Sequence, residues 1–531
     1  MGELYAPDIL RLAKDGESPN IAFDRKAFDD VVAWLHRKGH FSADMLADPH
    51  ARRLIEATYN VLNGAIGASV KQEVPAELTA ALRNNAFIFS GFKSYNTLAE
   101  IGLELTDDKG AVKPFEKFAE DVRKIDDRYN RAYLFAEYNH AVHSSQMAVK
   151  WHDIAQDGEE YNLQYRTAGD DRVREAHARL DGVTLPPSDK FWDRYLPPNG
   201  WNCRCQVVQV LREDYTESDS DAATKWGDEC TKEPKQQIFR FNAGKELKLF
   251  PPKHPYYKVP KEAKTVIEKV SAEEIKAQRV GEIRRLLPDY LTDKEKDAKA
   301  ANNYEIEQAL GVLLQRTMTV EEADRQSANP KHVERYILDP NGMYRDKAGK
   351  RWSKNPNYKS TDEQYSINCA TCAPAYALRL MGFDVKAKGR VAGSGSLNDS
   401  VARNRSFEMW KNADGTAATP NLTYDWMLAK GYKTMTAKRY KEYFEECCAD
   451  EGVYVLTIGW RGGGGHATIL QRFADGELKY IEPQAYDDQR GAKRDITELC
   501  ESGATKPFYK RGILRIDNKV FDTAFLPLFD K

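Results

Sequence analysis

The sequence predicts a multidomain α+β protein: a mainly helical N-terminal module with a small irregular β region, a helical charged connector, and a C-terminal α+β domain. Three observations predict it. The chain has 531 residues, enough for two to four domains. Apolar residues recur at three- and four-residue spacing through the first 150 positions. Strand-like alternation between Gly/Pro turns enters near residue 161 and returns beyond residue 322. The predicted boundaries are 1–255, 256–321 and 322–531.

Each segment has its own texture. Residues 27–35 and 54–62 carry helical periodicity, and residues 115–151 read as one or two long helices with few Gly or Pro. From 161 to 211 the chain shifts to short strands between turns such as Leu185-Pro186-Pro187 and Pro197-Pro198-Asn199-Gly200. Residues 256–321 are rich in Lys and Glu and read as a charged, partly helical connector, not a core.

Composition narrows the function. The chain is 41% hydrophobic with 27 Tyr, ample for packed cores, and its net charge of −2 gives no global field for nucleic acid or an acidic membrane. No apolar run approaches the roughly 20 residues that span a bilayer. The first residues, Met1-Gly2-Glu3-Leu4-Tyr5-Ala6-Pro7, show no leader pattern. Eight Cys are too few for a disulfide scaffold, so reduced thiols, metal ligands or a nucleophile are expected.

His177, Cys203 and Cys205 form the first constellation. They offer three soft ligands for a structural Zn²⁺, with Asp171 or His152 as the fourth, although Cys-x-Cys is tighter than the usual zinc spacing. The competing reading is a hydrogen-bonded core that pins a Pro-rich loop. The block Asp171-Arg172-Val173-Arg174 through His177, Leu180-Asp181-Gly182, Phe191-Trp192 and Pro197-Pro198-Asn199-Gly200-Trp201-Asn202-Cys203-Arg204-Cys205 resembles the phage Mu F-like minor head, or head morphogenesis, proteins. The resemblance covers roughly 90–211 and extends over 1–90. It implies portal and major capsid proteins of a phage head as partners, and a place in the virion, in the capsid interior or at the portal vertex. It implies no enzyme activity.

The second constellation is Cys369, His466 and Glu482. A thiol nucleophile needs a lowered pKa, from an imidazole and a helix N-terminus. The pattern after Asn368-Cys369 predicts a helix stopped by Gly382, and Pro374 places its start near Thr371. Cys369 and Cys372 then both lie at the helix start, and helix logic leaves either as nucleophile. A redox or zinc pair with Cys447 and Cys448 is a further reading of the same thiols.

Strands at 453–460, 467–473 and 478–481, with the turn Ala474-Asp475-Gly476, supply the partners. A three-residue turn pairs Phe473 with Glu477 and sets His466 opposite Gln484 and diagonal to Glu482, on one face. A two-residue turn would put Glu482 on the other face. The Cys369 backbone N–H and the side chains of Gln364 or Asn368 are candidate oxyanion donors, and the glycines at 462–465 would admit a substrate backbone.

Asn329-Pro330, Asn368-Cys369-Ala370-Thr371-Cys372, Arg379-Leu380-Met381-Gly382, Gly465-His466-Ala467 and Ile481-Glu482-Pro483-Gln484 resemble the papain-fold toxin domain of polymorphic toxins. The resemblance covers about 325–500 and implies a papain-like α+β domain with Cys369 as nucleophile, His466 as base and Glu482 as orienter. The family more often has Asp at the Glu482 position, which makes Gln484 the alternative for the third role. It further implies a deamidase or peptidase that needs no cofactor and acts on a host or competitor protein, in the bacterial host cytoplasm. A purely structural head protein and a capsid maturation protease are the rival expectations; no membrane and no sequence-specific nucleic acid are expected as partners.

Overall fold

The computed structural model describes residues 5, 22–70, 74–157, 160–346, 349–403, 405–460, 464–485, 492–502 and 510–531. Of the first seven residues, where no leader is expected, all but Tyr5 lie outside the described residues. The chain divides into two compact units, 1–276 and 277–531. The division falls inside one continuous helix, Lys261–Arg285.

The first unit is built on α1 (Arg25–Lys38), α2 (Pro49–Ser69), α3 (Ala76–Leu103), α4 (Phe115–Asp126) and α5 (Leu134–Ile154). Their ends follow local chemistry. Asp24 accepts from the Ala27 N–H to start α1, and Gly39 at φ 71° ends it. Asp48 caps α2 with Pro49 as its first residue. One wider helical turn, Asp127–Tyr133, joins α4 to α5, so the long helical stretch expected over 115–151 is two helices with a bulge between them.

Packed beside these helices is a small antiparallel sheet in the order β2 (Thr184–Leu185), β1 (Tyr161–Arg166), β3 (Gln206–Leu211). Leu163, Tyr165, Leu185 and Val207 join Phe191, Trp192 and Tyr195 in its core, and α6 (Ser220–Cys230) closes it with Ala223 and Cys230.

The helical core contains a charge that the sequence did not announce. Lys93 of α3 and Glu137 of α5 are both buried and paired. Glu137 Oε1 also accepts from the Tyr5 hydroxyl at 2.7 Å and the Tyr256 hydroxyl at 3.1 Å. Removing one partner strands the other charge in an apolar core.

The second unit begins with residues expected as part of the connector, and that expectation is corrected. Within 277–321, Ile283, Leu287 and Leu291 are core residues, and so are Ala300, Ile306 and Leu310 of α8 (Asp293–Leu310), counting Lys261–Arg285 as α7. The Lys and Glu residues cover the outer face, while one apolar stripe packs inward. Buried Glu307 fixes the stripe by accepting from Arg279 Nε at 3.1 Å and from the Leu314 N–H at 2.6 Å.

The centre of this unit is a six-stranded antiparallel sheet with α9 (Cys369–Leu380) packed on it. The strands are β4 (Asn421–Leu422), β5 (Gly452–Gly459), β6 (Gly465–Arg472), β7 (Leu478–Ile481), β8 (Lys493–Asp495) and β9 (Gly512–Arg515), in the order β8-β7-β6-β5-β9-β4. Val453, Val455, Ala467, Ile469 and Ile481 share the α9 core. Tyr454, Leu456, Leu470, Leu478 and Tyr480 fill a second core with α10 (Ala437–Cys447). This is the period-2 alternation of a sheet covered on both faces.

Gly382 ends α9. Its N–H bonds to Arg379 O at 2.7 Å and the Phe383 N–H to Leu378 O at 3.1 Å, the paired bonds of a helix terminated by a left-handed residue. Among the described residues no helix is long and apolar enough to cross a membrane.

Glu137→Ala should destabilise the first unit by about 3–5 kcal/mol, read from its denaturant midpoint. Lys93→Met combined with Glu137→Leu should recover most of that loss. A double variant as unstable as the single one would show that the tyrosine hydrogen bonds, not the stranded charge, set the cost.

Candidate functional site

Cys369 is the first residue of α9, with Asn368 as its N-cap. The helix therefore starts two residues earlier than the Thr371 expected from Pro374, and proline sits in its second turn. As the sixth residue of α9, Pro374 forgoes the bond that an N–H there would make to Ala370 O. The shift separates the two thiols. Cys369 stands at the positive end of the helix and is half-buried, whereas Cys372 lies a turn inside, fully buried in the apolar core. Burial pushes the Cys372 thiol well above its usual range, which disfavours the thiolate there.

The hairpin has the three-residue turn. Arg472 pairs with Leu478, the Phe473 N–H bonds to Glu477 O at 2.9 Å, and Gly476 takes φ 83°. That register sets His466 on β6 beside Glu482, just past β7, and His466 Nε2 lies 2.6 Å from Glu482 Oε2. Glu482 is held in turn by the Tyr480 hydroxyl on Oε2 and by the Gln484 N–H on Oε1 at 3.0 Å. Of the two candidates for the third role, Glu482 is the one that meets the imidazole, and the Gln484 N–H braces it.

With Nε2 engaged by Glu482, the His466 ring is close enough to the Cys369 thiol to favour its charged form. Trp460 stacks on the ring at 5.4 Å between centroids. Burial opposes charge on all three groups, but their mutual attraction outweighs it. His466 is raised to about 10, chiefly by Glu482 and the Cys369 hydrogen bond. Cys369 is lowered by the His466 hydrogen bond and charge and by the Ala467 N–H. Glu482 is lowered by His466 and Tyr480. All three shifts run in the direction that favours a thiolate, an imidazolium and a carboxylate.

Two expected oxyanion donors are engaged elsewhere. Asn368 gives its side-chain N–H groups to Asn329 Oδ1 at 3.1 Å and Lys388 O at 3.3 Å. Gln364, in the short helix Ser360–Tyr365, gives its amide to Thr361 O at 2.9 Å. Both amides answer nearby backbone and side-chain acceptors before they can face a substrate. The Thr371 and Cys372 N–H groups bond to Asn368 O at 2.8 and 3.1 Å, so the Cys369 and Ala370 N–H groups are the helix-start donors left to face a substrate.

The sequence missed Arg511. A Cβ on Gly465 would lie 2.3 Å from its Nη2, so the glycine makes room for the guanidinium beside His466. Arg511 is close enough to interact with the Cys369 charge, and no carboxylate among the described residues pairs with it. Its one sequence signal was the glycine before the histidine. Gly462 and Gly463, expected to admit a substrate backbone, lie outside the described residues.

In the first unit the structure brings His177, Cys203 and Cys205 together, with all three ligand atoms within 4.8 Å of one another and all three residues buried. It does not bring the expected fourth ligands. Asp171 is exposed, and His152 Nε2 pairs with Gln156 at 2.6 Å. Among the described residues no other metal-ligand group of three or more forms, so Cys369, Cys372, Cys447 and Cys448 do not make one.

Residues 110–208, which hold α5, β1, β2 and this cluster, match the family described as Phage Mu protein F like protein. The chain carries a Mu F-like domain. It is 26% identical over 187 residues to the F protein of Escherichia phage Mu, which its name assigns to capsid assembly; the match covers 34% of this chain and 39% of that protein. It is 31% identical over 67 residues to the Mu-like prophage FluMu F protein of Haemophilus influenzae, covering 13% of this chain and 16% of that protein. The chain thus spans well under half the length of either relative. No solved structure matches it. The resemblance expected over 90–211 is matched over the Mu F-like segment 110–208.

Site-resolved alkylation of the whole chain should label Cys369 well below pH 8.5, the range of an ordinary thiol, and leave Cys372 unlabelled. Because the imidazolium is what depresses the thiol, His466→Ala should move the Cys369 profile up toward about pH 8.5. Glu482→Gln should move it the same way by weakening that charge. A Cys369 profile unmoved by His466→Ala would uncouple the two side chains.

Proposed function

We propose that the chain is a phage minor head protein whose second unit is a papain-like, cysteine-dependent amidohydrolase, a protein deamidase or peptidase. The observation that carries the enzymatic part is the continuous chain from the first residue of α9 through His466 to Glu482, closed at 2.6 Å. The head-protein part is supported by the Mu F-like match over 110–208 and by the phage and prophage relatives. On this reading its partners are portal and major capsid proteins, its target is a host or competitor protein, and it travels in the virion to the host cytoplasm.

The chemistry follows from the resting pair. The Cys369 thiolate adds to a carboxamide or peptide carbonyl, forming a C–S bond and an oxyanion. The Cys369 and Ala370 N–H groups and the Arg511 guanidinium face that developing charge. The oxyanion collapses and the C–N bond breaks, with the His466 imidazolium giving its proton to the departing ammonia or amine. Neutral His466 then takes a proton from water, which hydrolyses the thioester and frees the acid and the thiolate. Glu482 keeps the ring oriented throughout and stabilises its charged form.

The full chain and its Cys369→Ala variant should be incubated with host extract and with disassembled head proteins, and the products read by mass spectrometry. New Glu-for-Gln or cleavage sites should appear with the wild type alone, the variant losing about 10⁴–10⁶-fold in rate. Identical product sets would overturn the enzymatic reading and leave a structural head protein. Head proteins left uncut in Cys369→Ala virions would reassign the thiol to capsid maturation. Arg511→Met should cut kcat by about 10²–10³-fold while Cys369 still alkylates at low pH; an unchanged kcat would remove Arg511 from the oxyanion site.

A further inference from the structure

The buried cluster of the Mu F-like segment has the dimensions of a metal site. Cys203 and Cys205 flank Arg204 on the loop that enters β3, and His177 comes from the short helix Glu175–Ala178. His177 Nδ1 stands 3.6 Å from Cys203 Sγ and 3.6 Å from Cys205 Sγ. One ring nitrogen has a single lone pair or a single proton, so it satisfies one thiol by hydrogen bonding, not two. Two sulfurs equidistant from it are what a shared centre requires. With zinc–sulfur bonds of about 2.3 Å and zinc–nitrogen bonds of about 2.0–2.1 Å at tetrahedral angles, nitrogen and sulfur ligands lie about 3.6 Å apart. The observed spacing is that edge.

The surroundings match the needs of a ligated imidazole. Cys230, the last residue of α6, is buried and close enough to interact with the same ring. With Nδ1 facing the two sulfurs, a Cys230 contact at Nε2 would fix the tautomer that leaves Nδ1 free to ligate. Tyr165 of β1 contacts Cys205 and donates its hydroxyl to Asn199 Oδ1 at 2.9 Å, tying the sulfur to the Pro-rich loop. Above the cluster is a small opening lined by Arg172, Arg174, Asn202 and Arg204. Arg204 is held there by paired 2.6 Å bonds to Asp170. Among the described residues no fourth His, Cys, Asp or Glu joins the three ligand atoms.

We propose that His177, Cys203 and Cys205 bind one zinc ion, with Cys230 orienting the imidazole from behind and water in the fourth position. Soft thiolates with an imidazole select zinc over magnesium or calcium. The ion would cross-link the loop before β3 to the Glu175–Ala178 helix, two stretches that share no strand pairing.

The full chain, purified from zinc-supplemented cells and desalted, should carry one zinc per chain by elemental analysis. The Cys203→Ser/Cys205→Ser variant should carry none. Because that variant can lose its fold, chelator-treated wild type refilled with Co²⁺ provides the second readout, and it should show thiolate-to-cobalt absorption with tetrahedral ligand-field bands. Cys230→Ser should keep the one-to-one ratio with about 10–100-fold weaker binding. Wild-type protein that carries no zinc and shows no thiolate band with Co²⁺ overturns the site. So does zinc content that survives in the double serine variant.

Discussion

Asn368, Asn329 and Gln484 close a set of buried hydrogen bonds at the point where α9 begins, and the thiol site depends on it. Asn329 gives its amide to Tyr365 O at 2.9 Å and Gln484 O at 3.0 Å, while Asn368 gives its own to Asn329 and Lys388. Gln484 Nε2 returns to Asn368 Oδ1 at 3.3 Å, and the Gln484 N–H holds Glu482. The N-cap of the nucleophile helix and the carboxylate that orients the base are thereby parts of one network. Partial loss of such a network leaves buried amides unsatisfied, so it holds one arrangement and not several. That arrangement puts Cys369 outside the core and Cys372 within it.

Local rules made half of this legible. The turn Ala474-Asp475-Gly476 fixed the register of β6 and β7 from three residues, because only one loop length places His466 and Glu482 on the same face. Gly382 announced the end of α9 for a similar reason: a Cβ there would meet Arg316 O at 2.0 Å, and its φ of 107° is one that side chains avoid. Each feature is decided within a few residues of chain, so a pattern reading reaches it.

The start of α9, the α8 stripe and Arg511 are decided at long range, and sequence pattern could not reach them. The helix starts ahead of Thr371, with Pro374 in its second turn, where the N-cap Asn368 is held by its bond to Asn329, 39 residues upstream. Residues 277–321 read as a connector because Lys, Arg, Asp and Glu are interspersed along the whole stretch. Yet Ile306 and Leu310 bury fully with α9, and Asn302 bonds to the backbone of Phe521 at 2.8 Å. A polar side chain that satisfies a distant backbone group looks, in sequence, like any solvated asparagine. Arg511 is legible only through the space that Gly465 leaves for it.

The two cysteine–histidine clusters of this chain use the same functional groups, and the third neighbour separates them. At His466 the ring is backed by a carboxylate, so the imidazolium is favoured and with it the thiolate of the neighbouring Cys369. At His177 the ring instead faces two sulfurs at equal distance, with a third cysteine nearby. There a metal ion can take the place of the proton, held by the ring's lone pair and both sulfurs. A carboxylate behind the ring favours acid–base chemistry, and thiols on both sides favour a soft metal. The physical difference between the two readings therefore lies in Glu482 and Cys230, residues 16 and 53 positions after their histidines, which no local motif containing the histidine includes.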